Sequence, residues 1–100
     1  MPAPEDCQTL DQVRSEIDRV DRAIVELLAE RRSYVKAVMR FKHTAEDVHA
    51  VDRQKQVIAA RREWAEALDL SPELVERIYR TVIDHFVAEE LDILSERSQS

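Results

Sequence analysis

The sequence predicts an all-α chain organised around one very long N-terminal helix. Apolar residues recur at alternating spacings of three and four from Leu10 onward, with no Pro or Gly to interrupt them. The 100 residues contain no Gly and only three Pro, so helix breakers are scarce. The composition, 44% hydrophobic and 36% charged, is that of a folded helical domain rather than a disordered chain.

The first apolar series is Leu10, Val13, Ile17, Val20, Ile24 and Leu27, continuing through Tyr34, Val38 and Phe41 with Leu28 and Val35 beside it. It predicts a helix from Thr9 to Lys42, about 50 Å long at 1.5 Å per residue. A compact chain of this size has a radius of gyration of only about 13 Å, so its own chain cannot cover the whole stripe and a second copy is expected to do so. "HTAEDVHA" reads as a connecting loop carrying a helix start signal. A second helix is expected over Ala50–Leu68, with Val57, Trp64 and Leu68 inward. "DLSPEL" marks a break, with Ser71 as cap, Pro72 at the first helical position and Glu73 at the positive end of the dipole. The third helix is expected from Pro72 to Leu94, burying Val75, Ile78, Tyr79, Val82, Phe86 and Ile93. Residues 1–8 and 95–100 are expected to fray, and 1–100 reads as one domain with no internal repeat.

The absence of Gly excludes a P-loop, a dinucleotide fingerprint and a nucleophile elbow. Cys7 has no second cysteine to pair with, and "MPAPEDCQ" lacks the basic and apolar regions of a signal peptide. No apolar run approaches the roughly 20 residues that span a bilayer. A cytoplasmic protein without a membrane role is expected. A net charge of −6 argues against nucleic acid as partner.

Against that acidic background, "RRSYVKAVMRFK" (31–42) holds five basic residues and no acid. On a helix, Arg32, Lys36 and Arg40 fall about 100° to 180° from Arg31 and form a solvated face. Lys42 falls about 20° from Arg31, inside the apolar stripe and about 16 Å along the axis. Two cations in an apolar stripe need anions, and this pair could clasp the two ends of a small ligand. Arg53 lies about 40° from Val57 and about 20° from Trp64, also inward. Glu90, four residues after Phe86, lies near Ile83 and Tyr79 on the inner face of the third helix. It could neutralise a neighbouring cation such as Arg31, but one acid does not balance three cations, and the surplus suggests a dianionic ligand. Arg14 is about 25 Å from Arg31 along the helix and can join it only across an antiparallel pair of chains. His43, His49 and His85 have no metal-ligand spacing, so no metal is expected.

These residues at these spacings resemble the all-helical chorismate mutase class, with the isochorismate pyruvate-lyase branch, which makes salicylate for siderophores, as the nearest likeness. The likeness rests on "PEDCQTLDQVRSEIDRVDRAIVELLAERRSYVKAVMRFK" and on "REWAE" later in the chain. The resemblance implies an intertwined homodimer of three-helix chains with active sites shared between subunits, acting on a small dianion without a cofactor. It assigns Arg31, the partner subunit's Arg14, Arg53 and Gln54 to substrate binding, and Lys42 and Glu90 to catalysis near the breaking C–O bond. An ionised Glu90 would repel an ether oxygen there, so the working form is the protonated acid.

Two departures bear on the substrate. Mutases of this class often hold the substrate hydroxyl with acids flanking the second-helix Arg, where this chain has Ala50 and Gln54, after a loop one residue shorter. That favours the lyase. Glu90 points the other way, because lyase relatives resemble Gln there and several mutases use Glu. The expected activity is therefore isochorismate pyruvate-lyase with weak chorismate mutase activity. Chorismate mutase and 4-amino-4-deoxychorismate mutase are the alternatives within the class, and a catalytically silent helical dimer serving as a ligand sensor is the alternative outside it.

Overall fold

A computed structural model describes residues 2–99. In chain order it contains a 3-10 turn at Pro4–Asp6, α1 at Leu10–Val38, a second 3-10 turn at Met39–Phe41, α2 at Ala45–His49, α3 at Val51–Ala67 and α4 at Pro72–Gln99. Every regular element among the described residues is helical, as the sequence predicts. None of these helices is long and apolar enough to cross a membrane. The chain divides into two units, Met1–Tyr34 and Val35–Ser100.

In the first unit Thr9 starts α1. Its Oγ1 accepts the Gln12 N–H at 3.1 Å, while Gln12 Oε1 reaches back to the Gln8 N–H at 2.6 Å, so side chains meet two backbone donors at this end. Glu16–Arg19 and Arg22–Glu26 pair along the exposed surface. Such pairs add little. No residue of α1 is buried. Leu10, Ile17, Ile24 and Leu27 are each at least half exposed, so this unit by itself does not bury the apolar stripe.

The second unit holds the core. Val57, Ile58 and Ile83 pack together with Tyr79 and Val87 against them, while Met39 and Val48 are fully enclosed. Contacts between α3 and α4 run in opposite senses: Arg62 meets Glu76 at 2.9 Å, Arg61 lies over Tyr79, and Ile58 shares the core with Ile83. The pair is therefore an antiparallel hairpin closed by residues 68–71. Ser71 caps α4, its Oγ accepting the Leu74 N–H at 3.2 Å.

Five expectations are corrected. The first helix stops at Val38, not Lys42, because the backbone tightens into a 3-10 turn. A short helix, α2, stands where a loop was expected. Thr44 and Asp47 build a complete capping box for it. The buried arc of α3 is Val57, Ile58 and Ala65, rotated by roughly 60° from the expected one, so Trp64 and Leu68 flank it and are exposed. Ile78 is half exposed because it lies about 140° from Ile83 around α4. That helix also continues through residues 95–99. Met1 and Ser100, within the ends expected to fray, lie outside the described residues.

A chain without Gly must turn its corners with other residues. Ala50 (φ 41°) forms the joint between α2 and α3, and Asp69 (φ 57°) ends α3. At the latter, Leu70 N–H reaches Ala65 O at 2.8 Å and Asp69 N–H reaches Glu66 O at 3.2 Å. This is a Schellman arrangement in which glycine is the usual occupant of the left-handed position. A Cβ there costs roughly 1–2 kcal/mol, partly offset by the greater unfolded-state freedom of Gly. Asp69→Gly is therefore expected to stabilise the protein by about 1 kcal/mol, read as a rise of several degrees in Tm by circular dichroism. An unchanged or lower Tm would show that the Asp69 side chain compensates for its own strain.

Candidate functional site

Two of the residues singled out in the sequence meet in the second unit. Lys42 Nζ lies 3.2 Å from Glu90 Oε2, joining positions 48 residues apart. Lys42 reaches this place by an unexpected route. After the 3-10 turn its backbone is extended (φ −108°, ψ 129°), so its inward aim comes from the turn and not from a helical face. Its ammonium also makes a long contact, 3.5 Å, with the Val48 carbonyl.

Glu90 shares a face of α4 with Ile83, two turns earlier, and is 5% exposed. An isolated carboxylate this enclosed would be strongly disfavoured, and the nearby ammonium is what allows it. Removing one partner of a buried pair costs about 3–5 kcal/mol, because the other is left uncompensated. The pair can do chemistry as well as hold the fold. A ligand oxygen entering beside Lys42 would compete with Glu90 for the ammonium, and a protonated Glu90 could donate a hydrogen bond of its own.

The other candidates are distributed as follows. Gln54 lies on the inner side of α3, where its Nε2 donates to the His49 carbonyl and ties the first turn of α3 to the end of α2 across Ala50. Arg53, expected inward, is exposed on the side of α3 that also carries Trp64. Arg14 is exposed and Arg31 half-buried on α1, in the first unit. Within that one helix they are about 25 Å apart, so one chain cannot bring them to a common ligand.

Sequence reasoning missed two features. Asp47 organises the segment after Lys42: its Oδ2 accepts the N–H groups of His43 at 2.9 Å and Thr44 at 3.1 Å, while Thr44 Oγ1 accepts the Asp47 N–H at 3.1 Å. The signal was legible as Thr-x-x-Asp. The second is Arg61, whose guanidinium lies 4.4 Å from the Trp64 ring and 5.5 Å from the Tyr79 ring, held at the α3–α4 junction by aromatic faces. Among the described residues, no group of three His, Cys, Asp or Glu side chains could hold a metal ion. A groove beside the start of α1, lined by Pro2, Asp6, Gln8, Gln12, Ser15 and Glu16, offers two carboxylates and no cation, the wrong sign for an anionic ligand.

Comparison with known proteins bears on this arrangement. The family model described as chorismate mutase type II matches residues 13–91. An isochorismate pyruvate lyase of Pseudomonas aeruginosa is 37% identical over 91 residues, covering 91% of this chain and 90% of that protein. T-proteins of Enterobacter agglomerans and Haemophilus influenzae are 34% and 33% identical over 84 residues. Those matches cover 83% of this chain but only 22% of either T-protein.

The capping box makes α2 sensitive to acid. The N–H groups of His43 and Thr44 hold the Asp47 carboxyl below its ordinary value near 3.8. A depressed folded-state value means the stabilisation is present above the unfolded value and is lost as pH falls through the folded one. Amide exchange at residues 43–49 should therefore accelerate as pH is lowered below about 4, beyond the intrinsic pH dependence of exchange, with Asp47→Asn abolishing that extra dependence. Equal pH dependence in the two proteins would remove Asp47 from the control of α2.

Proposed function

The chain belongs to the chorismate mutase type II family of enzymes, and on that premise we propose that it is an isochorismate pyruvate lyase, splitting isochorismate into salicylate and pyruvate. One observation carries the reading: Lys42 is held at the core of the second unit against a buried acid, in a chain similar to a lyase over nine-tenths of its length. Ala50 and Gln54, standing where mutases of this class often carry acids, support the lyase over the mutase.

The proposed reaction breaks the ether bond between ring and enolpyruvyl group while a ring hydrogen moves to the enolpyruvyl methylene. The ring becomes aromatic, and the side chain leaves as pyruvate. Nothing in that balance needs a nucleophile, a metal or a cofactor. It needs a folded conformer of the substrate and a positive group where the oxygen gains charge. Lys42 is assigned to that oxygen. Glu90 is assigned to the same oxygen in its protonated form, and otherwise to the aim of Lys42. Arg31, Arg53 and Gln54 are assigned to the substrate's carboxylates and hydroxyl. Chorismate to prephenate is the second reading, favoured by the family description and by Glu90.

The proposed enzyme is a homodimer with shared sites. Support comes from α1, whose apolar stripe is exposed from Leu10 to Leu28, and from the separation of Arg14 and Arg31. Burying such side chains contributes roughly 1.5–3 kcal/mol each, a strong drive toward a second copy. The partner subunit's Arg14 then completes the site that contains Arg31. A cytoplasmic location is part of the same reading, resting on the lone Cys7 and the acidic character of the chain.

Incubation with isochorismate should give salicylate and pyruvate in equal amounts, with chorismate converted to prephenate slowly. Prephenate as the dominant product would move the assignment to the mutase. Lys42→Ala should lower kcat by about 10²- to 10³-fold in protein that is still folded by circular dichroism. Near-wild-type turnover in that variant would exclude Lys42 from the chemistry.

Mixing tests the shared site. Arg14→Ala and Arg31→Ala should each be inactive alone. Subunit exchange at equal amounts should restore about a quarter of wild-type activity, since half the dimers then carry one intact site. Sites built within one chain predict no recovery.

A further inference from the structure

Lys42 follows the end of α1, where the backbone carbonyls no longer have helical partners. One guanidinium meets two carbonyls of the turn that follows: Arg97 Nη1 donates to Met39 O at 2.9 Å and to Lys42 O at 3.4 Å. Lys42 N–H also reaches Met39 O, at 3.3 Å, so the 3-10 turn is closed on itself and pinned from outside. Arg97 is seven residues after Glu90 and therefore on the same face of α4, about 10 Å further along. Lys42 is thus held twice by one face of one helix. Glu90 takes its ammonium and Arg97 takes its backbone.

We infer that Arg97 is a positioning residue for Lys42, so that the last turns of α4 belong to the catalytic apparatus. The inference rests on the proposed role of Lys42 in the reaction. A lysine whose side chain alone is anchored still has a pivoting backbone, and its ammonium then samples a wide arc. Fixing the carbonyl of the same residue removes that freedom. Displacement of a catalytic group by about 1 Å can cost about 10²-fold in rate. A cation at a helix C-terminus also stabilises the fold in its own right, and that plain role has to be told apart from positioning.

The test is a double-mutant cycle on the full chain. Steady-state rates are compared for wild type, Arg97→Ala, Arg97→Lys, Lys42→Ala and the Lys42→Ala/Arg97→Ala double variant. Isochorismate is the substrate, or chorismate if that is the one turned over. Arg97→Ala should lower kcat by about 10- to 100-fold while KM changes less than about threefold. Arg97→Lys should recover part of the loss, since an ammonium keeps the charge and three donors but lacks the rigid planar fork that fixes the direction of the guanidinium. In the Lys42→Ala background the same Arg97→Ala change should alter the residual rate by less than about twofold, because no ammonium remains to be aimed. Amide exchange at Lys42 should accelerate in Arg97→Ala whatever the activity.

Equal rate losses in both backgrounds would reduce Arg97 to a structural cap and overturn the inference. So would an unchanged kcat in Arg97→Ala. If Arg97→Ala does not fold, the Arg97→Lys cycle decides by the same comparison. Wild-type protein inert toward both substrates would overturn the functional reading and this inference together, whereas an active wild type indifferent to Arg97 overturns the inference alone.

Discussion

A carboxylate enclosed in a helical core must keep a cation beside it, and much of the second unit is arranged to meet that demand of Glu90. The cation comes from Lys42, 48 residues earlier, so the end of α1 has to be brought against the middle of α4. The 3-10 turn at Met39–Phe41 does this by redirecting the chain within three residues, with Met39 fully enclosed as its apolar anchor. Short α2 follows, its Val48 packed into the same interior. Left alone there, the carboxylate would be strongly disfavoured. Fold and candidate chemistry therefore share one pair of atoms.

The first unit faces the opposite problem. Its helix forms readily, with a capped start and no breakers, but it has an apolar side that a single helix cannot bury within itself. Among the described residues, the buried ones all lie in the second unit, from Met39 to Glu90, and α1 contributes none. On the dimeric reading, the surface that joins two chains also carries Arg14 and Arg31, so association and substrate binding draw on the same 29-residue helix.

Legibility followed the range of each interaction. The start of α1 at Thr9 and of α4 at Pro72 could be read directly, because caps and proline act within a turn. The end of α1 could not, since Val38 and Phe41 keep their apolar spacing whether the backbone is α or 3-10. The inward aim of Lys42 was anticipated through a helix that does not extend that far. Trp64, Leu68 and Ile78 were placed inside by periodicity alone. Yet α3 and α4 bury only the strip each turns toward its neighbour, and these residues lie beyond it. Glu90 stood out as an acid in an apolar stripe, but its partner among three cations depended on geometry. Arg97 left no local mark, because the carbonyls it meets lie 55 and 58 residues away.

The left-handed backbone at Ala50 and Asp69 has a consequence in the genetic code. Alanine and aspartate codons each become glycine codons by a single base change, so relief at either corner is one mutational step away. Yet the chain contains no glycine at all. Alanine in a left-handed joint, one such step from glycine, accords with a protein that need only remain above a stability threshold. The unused margin at these two codons is of the size that a substitution near a working site commonly destroys, and it gives the chain room to absorb one.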